Sequence, residues 1–417
     1  MRKTGLKILY FQIRSIIKFP SLNLSPLPKI FPQKGLPHWK MRLWLYSLLN
    51  EIREIKLTDK IGASHSTPAR LAVNVWNKIL PLNPNNLGNL YPHKNRDLIG
   101  TPKSEHDLIE QLVNLLGGKV GRWAGYVTSG ATESNIFSAW VGRNYLKEVT
   151  KNKRVIIIVN NLTHYSILKA ADILNIKTEI TAIDDNWVMN SDSLVKKIKN
   201  LYKKGYRAFL LPLTLGYTQT GTNDNYQDIT AKLSHLENSM NAKFFVWIDA
   251  ATNGLILPFT TKNFYTLKNN SIKAIAIDFH KAGMNPIPSG IVIYDLSFKK
   301  FISRQIPYIE SDDLTLLGSR PGASAAGMLA VINSMGFTGF KKKIRERLKL
   351  KNMFIKKVSQ ILPDIKIINS PNSISLGLVS NKKIPKIYSL KYGLFSRKVL
   401  YKFTDKTRAH YIYKAFF

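Results

Sequence analysis

Short apolar segments alternate with longer amphipathic ones through the middle of the chain, and this alternation restricts the fold more than any other feature. Helical or loop segments separate most of these apolar segments. Strands that are apolar throughout are typical of parallel sheets with helices on their faces. The sequence therefore predicts an α/β fold with a largely parallel sheet. The candidate strands are residues 126–128, 155–159, 208–211, 244–248, 274–277 and 290–294.

The two ends of the chain differ from this central part. No Asp or Glu precedes Glu51, whereas Lys and Arg recur from Arg2 onward among apolar residues. We expect residues 1–60 to form a basic arm and a helix, residues 61–340 a large domain, and residues 341–417 a small α+β domain. The arm is interpreted as one that wraps a partner subunit, although a targeting segment or a helix on a membrane surface fits the same pattern.

The formal net charge of +36 restricts the classes of partner. A charge this large is typical of proteins that bind nucleic acid or an anionic membrane. Here the basic residues are spread along the whole chain, and no nucleic-acid-binding motif accompanies them. We therefore expect a solvated basic surface, no nucleic-acid partner and, at most, a contact of the basic N-terminus with a membrane surface.

Cysteine is absent, so the chain can form neither a disulfide nor a thiolate metal site. This composition fits a reducing compartment, and we expect a cytoplasmic protein that holds no metal. No run of eighteen apolar residues occurs, so no transmembrane helix is expected. Catalysis then depends on Lys, His, Asp, Tyr, Ser or Thr side chains, or on a cofactor.

Two charged residues stand at the carboxyl ends of predicted strands, where ligands of α/β sheets bind. Lys281 follows the strand at 274–277 and precedes a loop rich in Gly and Pro at 283–290. Lost solvation lowers the pKa of a lysine amine and frees it to form a Schiff base, although Lys281 taken alone is better interpreted as a surface lysine in a chain rich in basic residues. Asp249 closes the strand at 244–248 and could pair with a protonated pyridine nitrogen or merely cap a helix.

Three further segments could bind parts of an aromatic, phosphorylated ligand. Residues 128–135 (TSGATESN) join a strand to a helix through Gly130, and the exposed N–H groups of a helix N-terminus suit a phosphate. His164 follows a predicted strand, and its ring could stack on an aromatic ring or lie at the surface. Ser319, in GSRPG (318–322), could contact a phosphate or belong to a simple turn.

These motifs, in this order, resemble those of the group II amino-acid decarboxylases, which depend on pyridoxal 5′-phosphate (PLP). Those enzymes have fold type I of the PLP enzymes, with an aminotransferase-like large domain. The resemblance implies that PLP is the cofactor, that an L-amino acid is converted to its amine and CO₂, and that a homodimer shares its active sites. It spans roughly residues 35–345 and rests on GYVTSGATESN (125–135), THYSILKAA (163–171), GYTQTGTND (216–224), WIDAA (247–251), DFHKAGMNPIPSG (278–290) and DDLTLLGSRPGASAA (312–326).

The resemblance also implies a role for each matching residue. Lys281 would bind the PLP aldehyde as a Schiff base and take part in catalysis. Asp249 would pair with the pyridine nitrogen, Ala251 would pack under the ring, and His164 would stack on its other face. Thr218 matches a threonine that lies near the cofactor. The residues expected to hold the phosphate are Gly130, Ala131, Thr132, His280 and Ser319.

Turnover would further need a proton donor and a cation for the substrate carboxylate. Tyr308 lies in a segment similar to the family's mobile catalytic loop and is the candidate that returns a proton to the substrate carbon, although a core or surface tyrosine fits as well. Arg397 and Arg408 are both candidates for binding the substrate carboxylate. The positions that depart from the family pattern, and leave the shape of the cofactor loops open, are Ala131, Tyr217 and Phe279.

Two other functions compete with decarboxylation. One is that of a PLP-dependent aldehyde-lyase similar to the sphingosine-phosphate lyases, for which the basic surface would attract a phosphorylated lipid. The other is that of a non-catalytic basic binding protein on a PLP-enzyme scaffold. Decarboxylation is favoured because Lys281, Asp249 and His164 fill their positions, and because the segments DDLTLLGSR and NPIPSG are more similar to the decarboxylases.

Overall fold

The structure is a computed structural model that describes most of the chain in two compact units. Residues 32–57 belong to the smaller unit, and all other described residues belong to the larger one. The smaller unit contributes one described helix, α1 (His38–Leu57), on which Trp39 and Leu45 are exposed. The described residues are 32–57, 66–88, 98–151, 154–262, 264, 266–307, 311–361, 363–380, 401–405 and 410–416.

A seven-stranded sheet forms the centre of the larger unit. Its strands lie in the order β1-β7-β6-β5-β4-β2-β3. From β6 to β3 each strand is parallel to its neighbours, whereas β7 pairs antiparallel with both β6 and β1. The predicted α/β fold with a mostly parallel sheet is therefore confirmed. The strands are β1 (Trp123–Thr128), β2 (Val155–Val159), β3 (Lys177–Ile180), β4 (Ala208–Thr214), β5 (Lys243–Asp249), β6 (Ile272–Asp278) and β7 (Gly290–Asp295).

Helices flank this sheet and connect its strands. Helix α4 contacts strands β4 to β7, and its buried residues include Phe137 and Val141. This contact buries apolar area between the helix that connects β1 to β2 and the centre of the sheet, which stabilises both layers. The helices are α2 (Arg70–Ile79), α3 (Gly100–Leu115), α4 (Ala131–Thr150), α5 (Tyr165–Ile173), α6 (Ser191–Lys203), α7 (Tyr226–Ser239), α8 (Leu257–Thr260) and α9 (Gly322–Ile361).

Whether a strand can be predicted from the sequence depends on how much of it is buried. All residues of β2 and β4 are buried, so both strands are apolar runs with no polar face. Strand β3 is not among the predicted strands. It lies at the edge of the sheet, its end residues Lys177 and Ile180 are exposed, and its sequence KTEI therefore lacks an apolar run.

Helix α9 is the longest helix described, and it is kinked at Gly336. The φ of 58° and ψ of −176° at this glycine are non-helical, and a residue with a β-carbon rarely adopts a positive φ. Helix α9 packs against α2 and α3, and its residues Met328 and Val331 are fully buried. By length and composition alone, α9 is the one helix of the described residues that could cross a membrane. Within its first turns, Ala323, Ala325, Met328 and Val331 are buried.

Two small sheets complete the larger unit. Ile368 and Val379, on strands β10 and β11, pack with Leu162, Trp187 and Tyr217. This cluster joins the four-stranded antiparallel sheet, of order β10-β11-β13-β12, to loops of the large sheet. The remaining strands are β8 (Arg304–Ile306), β9 (Ser311–Asp313), β10 (Lys366–Asn369), β11 (Ser375–Ser380), β12 (Tyr401–Asp405) and β13 (His410–Phe416), of which β8 and β9 form a two-stranded sheet.

Candidate active site

A cavity of about 320 Å³ lies at the edge of the large sheet where β1, β4, β5 and β6 end. Parallel strands bring their carboxyl ends to one edge of a sheet, so the loops that follow them converge there. The residues that line the cavity are Ser129, Gly130, Ala131, Thr132, Leu162, His164, Tyr165, Thr214, Gly216, Tyr217, Thr218, Asp249, Ala251, Thr252, Asp278, His280 and Lys281.

Lys281 lies just beyond β6, and its amine faces the carboxylate that ends this strand. The Nζ atom of Lys281 is 3.1 Å from Oδ2 of Asp278. Ser66, from a distant part of the chain, fixes the backbone here: its hydroxyl donates to the Lys281 carbonyl, and its N–H donates to the His280 carbonyl over 2.8 Å. Asp278 therefore contacts the amine itself, and Ser66 holds the backbone at positions 280 and 281.

Asp249 ends β5 and is nearly fully buried. Its Oδ2 atom accepts a hydrogen bond of 3.0 Å from Nδ2 of Asn135, and its Oδ1 atom accepts one of 3.1 Å from the N–H of Ala251. A buried carboxylate is stable only when donors of this kind satisfy its oxygens. These contacts fix the direction of the carboxylate within the cavity lining.

His164 precedes helix α5 and caps its N-terminus. Its Nδ1 atom accepts a hydrogen bond of 3.3 Å from the N–H of Ser166. The Ser166 hydroxyl lies 2.9 Å from the same ring nitrogen. These two contacts hold the flat imidazole ring at one wall of the cavity.

The N-terminus of α4 contributes a third wall. The N–H of Ala131 donates to Oδ1 of Asp278 over 2.7 Å, and the N–H of Ser129 donates to Oε2 of Glu133 over 2.7 Å. Burial raises the pKa of Glu133. The N-terminus of α4 thus lines the cavity with its positive dipole end, which is an environment that anions prefer, while the N–H of Ala131 and the N–H of Ser129 already donate to carboxylates.

Gly290, at the start of β7, allows the turn before α4 to lie close to the sheet. A β-carbon at position 290 would lie 2.5 Å from the Cα of Gly130 and 2.6 Å from the Thr128 hydroxyl. Real side chains do not tolerate these distances, so position 290 requires glycine. The glycine-rich loop after Lys281 thereby positions the helix N-terminus as well as the lysine.

Tyr217 departs from the family pattern and is directed into a buried network. Its hydroxyl donates to Oδ2 of Asp224 over 2.8 Å and accepts a hydrogen bond from Nδ2 of Asn160. Burial raises the pKa of Asp224 to about 6 and raises that of Tyr217 well above its usual value. The Tyr217 side chain therefore packs between its own loop and the four-stranded sheet, while Thr218 lines the cavity.

Most residues predicted to bind the cofactor meet at this one cavity. Ser319 is not among the lining residues: its hydroxyl accepts a hydrogen bond of 3.0 Å from Nδ2 of Asn85 at an exposed position, and its phosphate contact stays a prediction. Tyr308, Arg397 and Arg408 lie outside the described residues, so their roles stay predictions too. The predicted residues that line the cavity are Lys281, Asp249, Ala251, His164, Gly130, Ala131, Thr132, Thr218 and His280.

Three residues that organise the cavity were missed by reasoning from the sequence. Asn135 orients Asp249, Ser166 holds His164, and Asp278 contacts both Lys281 and the N-terminus of α4. The available signal was their position inside the motifs TSGATESN, THYS and DFHK. That signal identifies the segments and leaves the hydrogen-bond partners unknown.

The residues of the cavity suit PLP. An amine can bind its aldehyde, a buried carboxylate can pair with its pyridine nitrogen, an imidazole can stack on its ring, and a helix N-terminus can bind its phosphate. Lys281, Asp249, His164 and the Gly130–Thr132 turn supply these four groups. The cavity volume lies at the lower end of the range of about 300–1,000 Å³ that is usual for small-molecule sites.

Comparison with known sequences gives one consistent family. Residues 107–382 match the model of the pyridoxal-dependent decarboxylase conserved domain. The chain is 31% identical over 362 residues to the L-aspartate decarboxylase of Thermococcus kodakarensis. The aligned region covers 84% of this chain and 86% of that protein. It is also 31% identical over 327 residues to the tryptophan decarboxylase of Clostridium sporogenes, with 75% of each protein covered.

Comparison with solved structures supports the fold. The glutamate decarboxylase of Lactobacillus brevis superposes with a TM-score of 0.77 at 15% identity, over 94% of this chain and 90% of that chain. The sphingosine-1-phosphate lyase of Burkholderia pseudomallei superposes with a TM-score of 0.75 at 17% identity, over 95% of this chain and 89% of that chain. At these identities the likeness establishes the architecture and does not separate the two activities.

Proposed function

The chain belongs to the pyridoxal-dependent decarboxylase family, and we propose from this that Lys281 binds its PLP cofactor and that an L-amino acid loses its α-carboxyl group as CO₂. The family makes the protein a PLP-dependent amino-acid carboxy-lyase. The observation that carries the assignment of residues is the cavity itself, which is lined by the amine of Lys281, the carboxylate of Asp249 and the imidazole of His164.

Each of these side chains has a defined task in such a reaction. PLP, when bound, supplies a ring that accepts the electrons left on the substrate carbon as CO₂ departs. Asp249, held by Asn135 and the N–H of Ala251, would keep a proton on the ring nitrogen. His164, held by Ser166, would pack against the ring and help to exclude water from it.

Proton return to the substrate carbon and binding of the substrate carboxylate need further residues. The argument for these residues is the resemblance of the sequence to the decarboxylase family. We propose Tyr308 as the general acid that returns a proton to the substrate carbon after CO₂ departs. We propose Arg397 or Arg408 as the cation that binds the substrate carboxylate. We also propose a homodimer with shared active sites, which light scattering in dilute solution tests; a stable and active monomer would refute it.

The relatives indicate the reaction more closely than the substrate. Relatives at the same 31% identity are named for aspartate and for tryptophan, whose side chains differ in charge and size. A few pocket contacts, worth about 1–3 kcal/mol each, are enough to produce such a difference. L-Aspartate and L-tryptophan are therefore the two substrates to test first, followed by the other amino acids.

The experiment that tests the proposal combines a spectrum with a product assay. The full chain supplied with PLP should show the visible absorbance of a PLP imine, and borohydride should leave a pyridoxyl group on Lys281. Screening the twenty amino acids should find one that releases CO₂ and its amine. Lys281→Ala should abolish both signals. Release of an aldehyde without CO₂ would instead favour a lyase of the sphingosine-phosphate lyase type.

A further inference from the structure

Asp278 is a buried carboxylate that contacts three groups expected to bind the cofactor. It ends β6 and is only 5% exposed. Its Oδ1 atom accepts the N–H of Ala131 over 2.7 Å. Its Oδ2 atom lies 3.1 Å from Nζ of Lys281 and 3.5 Å from Nε2 of His280. One side chain therefore spans the distance from the N-terminus of α4 to the lysine.

These contacts use donors that a phosphate needs. The N–H groups at the N-terminus of α4 and the imidazole of His280 line the cavity and are the groups that we expect to bind the phosphate. A carboxylate and a phosphate are both acceptors without a proton to donate, so they compete for each N–H and repel each other. Asp278 already occupies the N–H of Ala131, the second residue of the expected phosphate-binding turn.

We propose that Asp278 limits the affinity of this protein for its phosphorylated cofactor. Its carboxylate occupies the Ala131 N–H and lies 3.5 Å from Nε2 of His280, and it places a negative charge beside the expected site of the phosphate. The inference rests on the proposed function in one respect, which is that the phosphate lies at the N-terminus of α4. A neutral side chain at position 278 that still accepts the Ala131 N–H should bind the phosphate more tightly.

The substitution Asp278→Asn separates this role from a structural one. Its amide oxygen can still accept the N–H of Ala131, so the cap of α4 is kept while the charge is removed. Asp278→Ser is a second neutral variant, because its hydroxyl can also accept this N–H. Asp278→Ala removes the acceptor and should lower the thermal stability. Asp295→Asn is the matched control, since Asp295 is a buried residue that ends β7 and does not line the cavity.

The measurement uses a ligand that cannot react with Lys281. Pyridoxine 5′-phosphate carries the ring and phosphate of PLP without the aldehyde, and its binding to the cofactor-free full chain is measured by calorimetry at low and high salt. We expect Asp278→Asn and Asp278→Ser to bind it at least tenfold more tightly than the unmodified protein does. The gain should shrink at high salt, and Asp295→Asn should leave the affinity within twofold.

The outcomes separate the inference from the proposed function. Equal or weaker binding by both neutral variants, with unchanged thermal stability, would overturn the role of Asp278. If PLP and borohydride still label Lys281 in that case, the proposed function stands without the inference. If neither the unmodified protein nor any variant binds pyridoxine 5′-phosphate or is labelled at Lys281, both are wrong.

Discussion

Nδ2 of Asn135 lies 3.0 Å from Oδ2 of Asp249 and donates a hydrogen bond to it, although 114 residues separate the two in the chain. The same amide donates to the Ser166 hydroxyl over 3.0 Å and accepts from Nε1 of Trp247 over 3.1 Å. The Ser166 hydroxyl lies 2.9 Å from the ring of His164. One buried amide therefore links the carboxylate and imidazole walls of the cavity.

Replacing Asn135 by Ala should lower kcat by about 10- to 100-fold, which is about 1.4–2.7 kcal/mol of transition-state stabilisation. The reason is that Asp249 loses the donor that orients it, while Lys281 still binds PLP. Steady-state kinetics on the substrate found by screening, with the cofactor spectrum, make the measurement. Ser138→Ala on the same helix, where the hydroxyl donates to the Ser134 carbonyl, is the control and should leave kcat within about twofold. An Asn135→Ala enzyme with full kcat would contradict the role.

Gly290→Ala should weaken cofactor binding by at least about tenfold and destabilise the fold by about 1–3 kcal/mol. The added β-carbon would lie 2.5 Å from the Cα of Gly130, so the turn that begins α4 must move. PLP titration and urea unfolding measure the two effects. Gly318→Ala is the matched control, because the nearest atom to its β-carbon is 3.8 Å away, on Leu87. Equal behaviour of the two variants would show that the close contact is unimportant.

Glu105→Gln should destabilise the protein by about 3–5 kcal/mol, because it leaves the buried guanidinium of Arg320 without a counter-charge. Both side chains are buried, and Glu105 also accepts the N–H of Val127 over 2.6 Å. Urea unfolding gives the free energy. The control is Glu148→Gln, at an exposed pair with Lys300, which should change stability by less than about 1 kcal/mol. Similar losses for both variants would argue against a special role of the buried pair.

The stability of the protein should depend on the titration of Asp224. Burial raises the pKa of this carboxyl from 3.8 to about 6, so between these values the folded state holds more protons than the unfolded state. The stabilisation is complete below about pH 4 and is lost as the pH rises through about 6, by about 3 kcal/mol at 1.36 kcal/mol per pKa unit.

Urea unfolding of the unmodified protein and of Asp224→Asn between pH 4 and pH 7 measures this contribution. The difference in unfolding free energy should move in favour of the variant as the pH rises. Asp228→Asn provides a comparison of opposite sign, because a hydrogen bond from Ser191 lowers the pKa of Asp228. Parallel stability curves for the unmodified protein and Asp224→Asn would show that the buried carboxyl does not titrate in this range.

Tyr308→Phe should cut turnover by about 10²- to 10⁴-fold, or divert the products, because it removes the proposed proton donor to the substrate carbon. The cofactor absorbance should survive, since Lys281 and Asp249 are unchanged. Product analysis by mass spectrometry in D₂O follows the deuteron delivered to the α-carbon of the amine product. Unchanged turnover with clean amine product would rule out this role.

The strands were predictable because their environment repeats along the chain. Both faces of β2 and β4 are buried, so every residue of each strand lies in an apolar environment, and the sequence of each strand is an apolar run. The edge strand β3 escapes this rule because exposed positions tolerate polar residues. The helix predicted to follow Gly130 is observed as α4 (Ala131–Thr150), and its ends depend on capping more than on periodicity.

The residues along the chain are enough to predict the α/β fold, the order of the motifs at the strand ends and, through the resemblance of those motifs, the family and its cofactor. Which polar groups meet depends on the folded arrangement: Asn135 contacts Asp249 and Asp278 contacts the N–H of Ala131, across 114 and 147 residues of chain. Periodic burial is a local property that each segment records in its own residues. A hydrogen bond between distant loops depends on how the strands are ordered in the sheet, and no single segment carries that information.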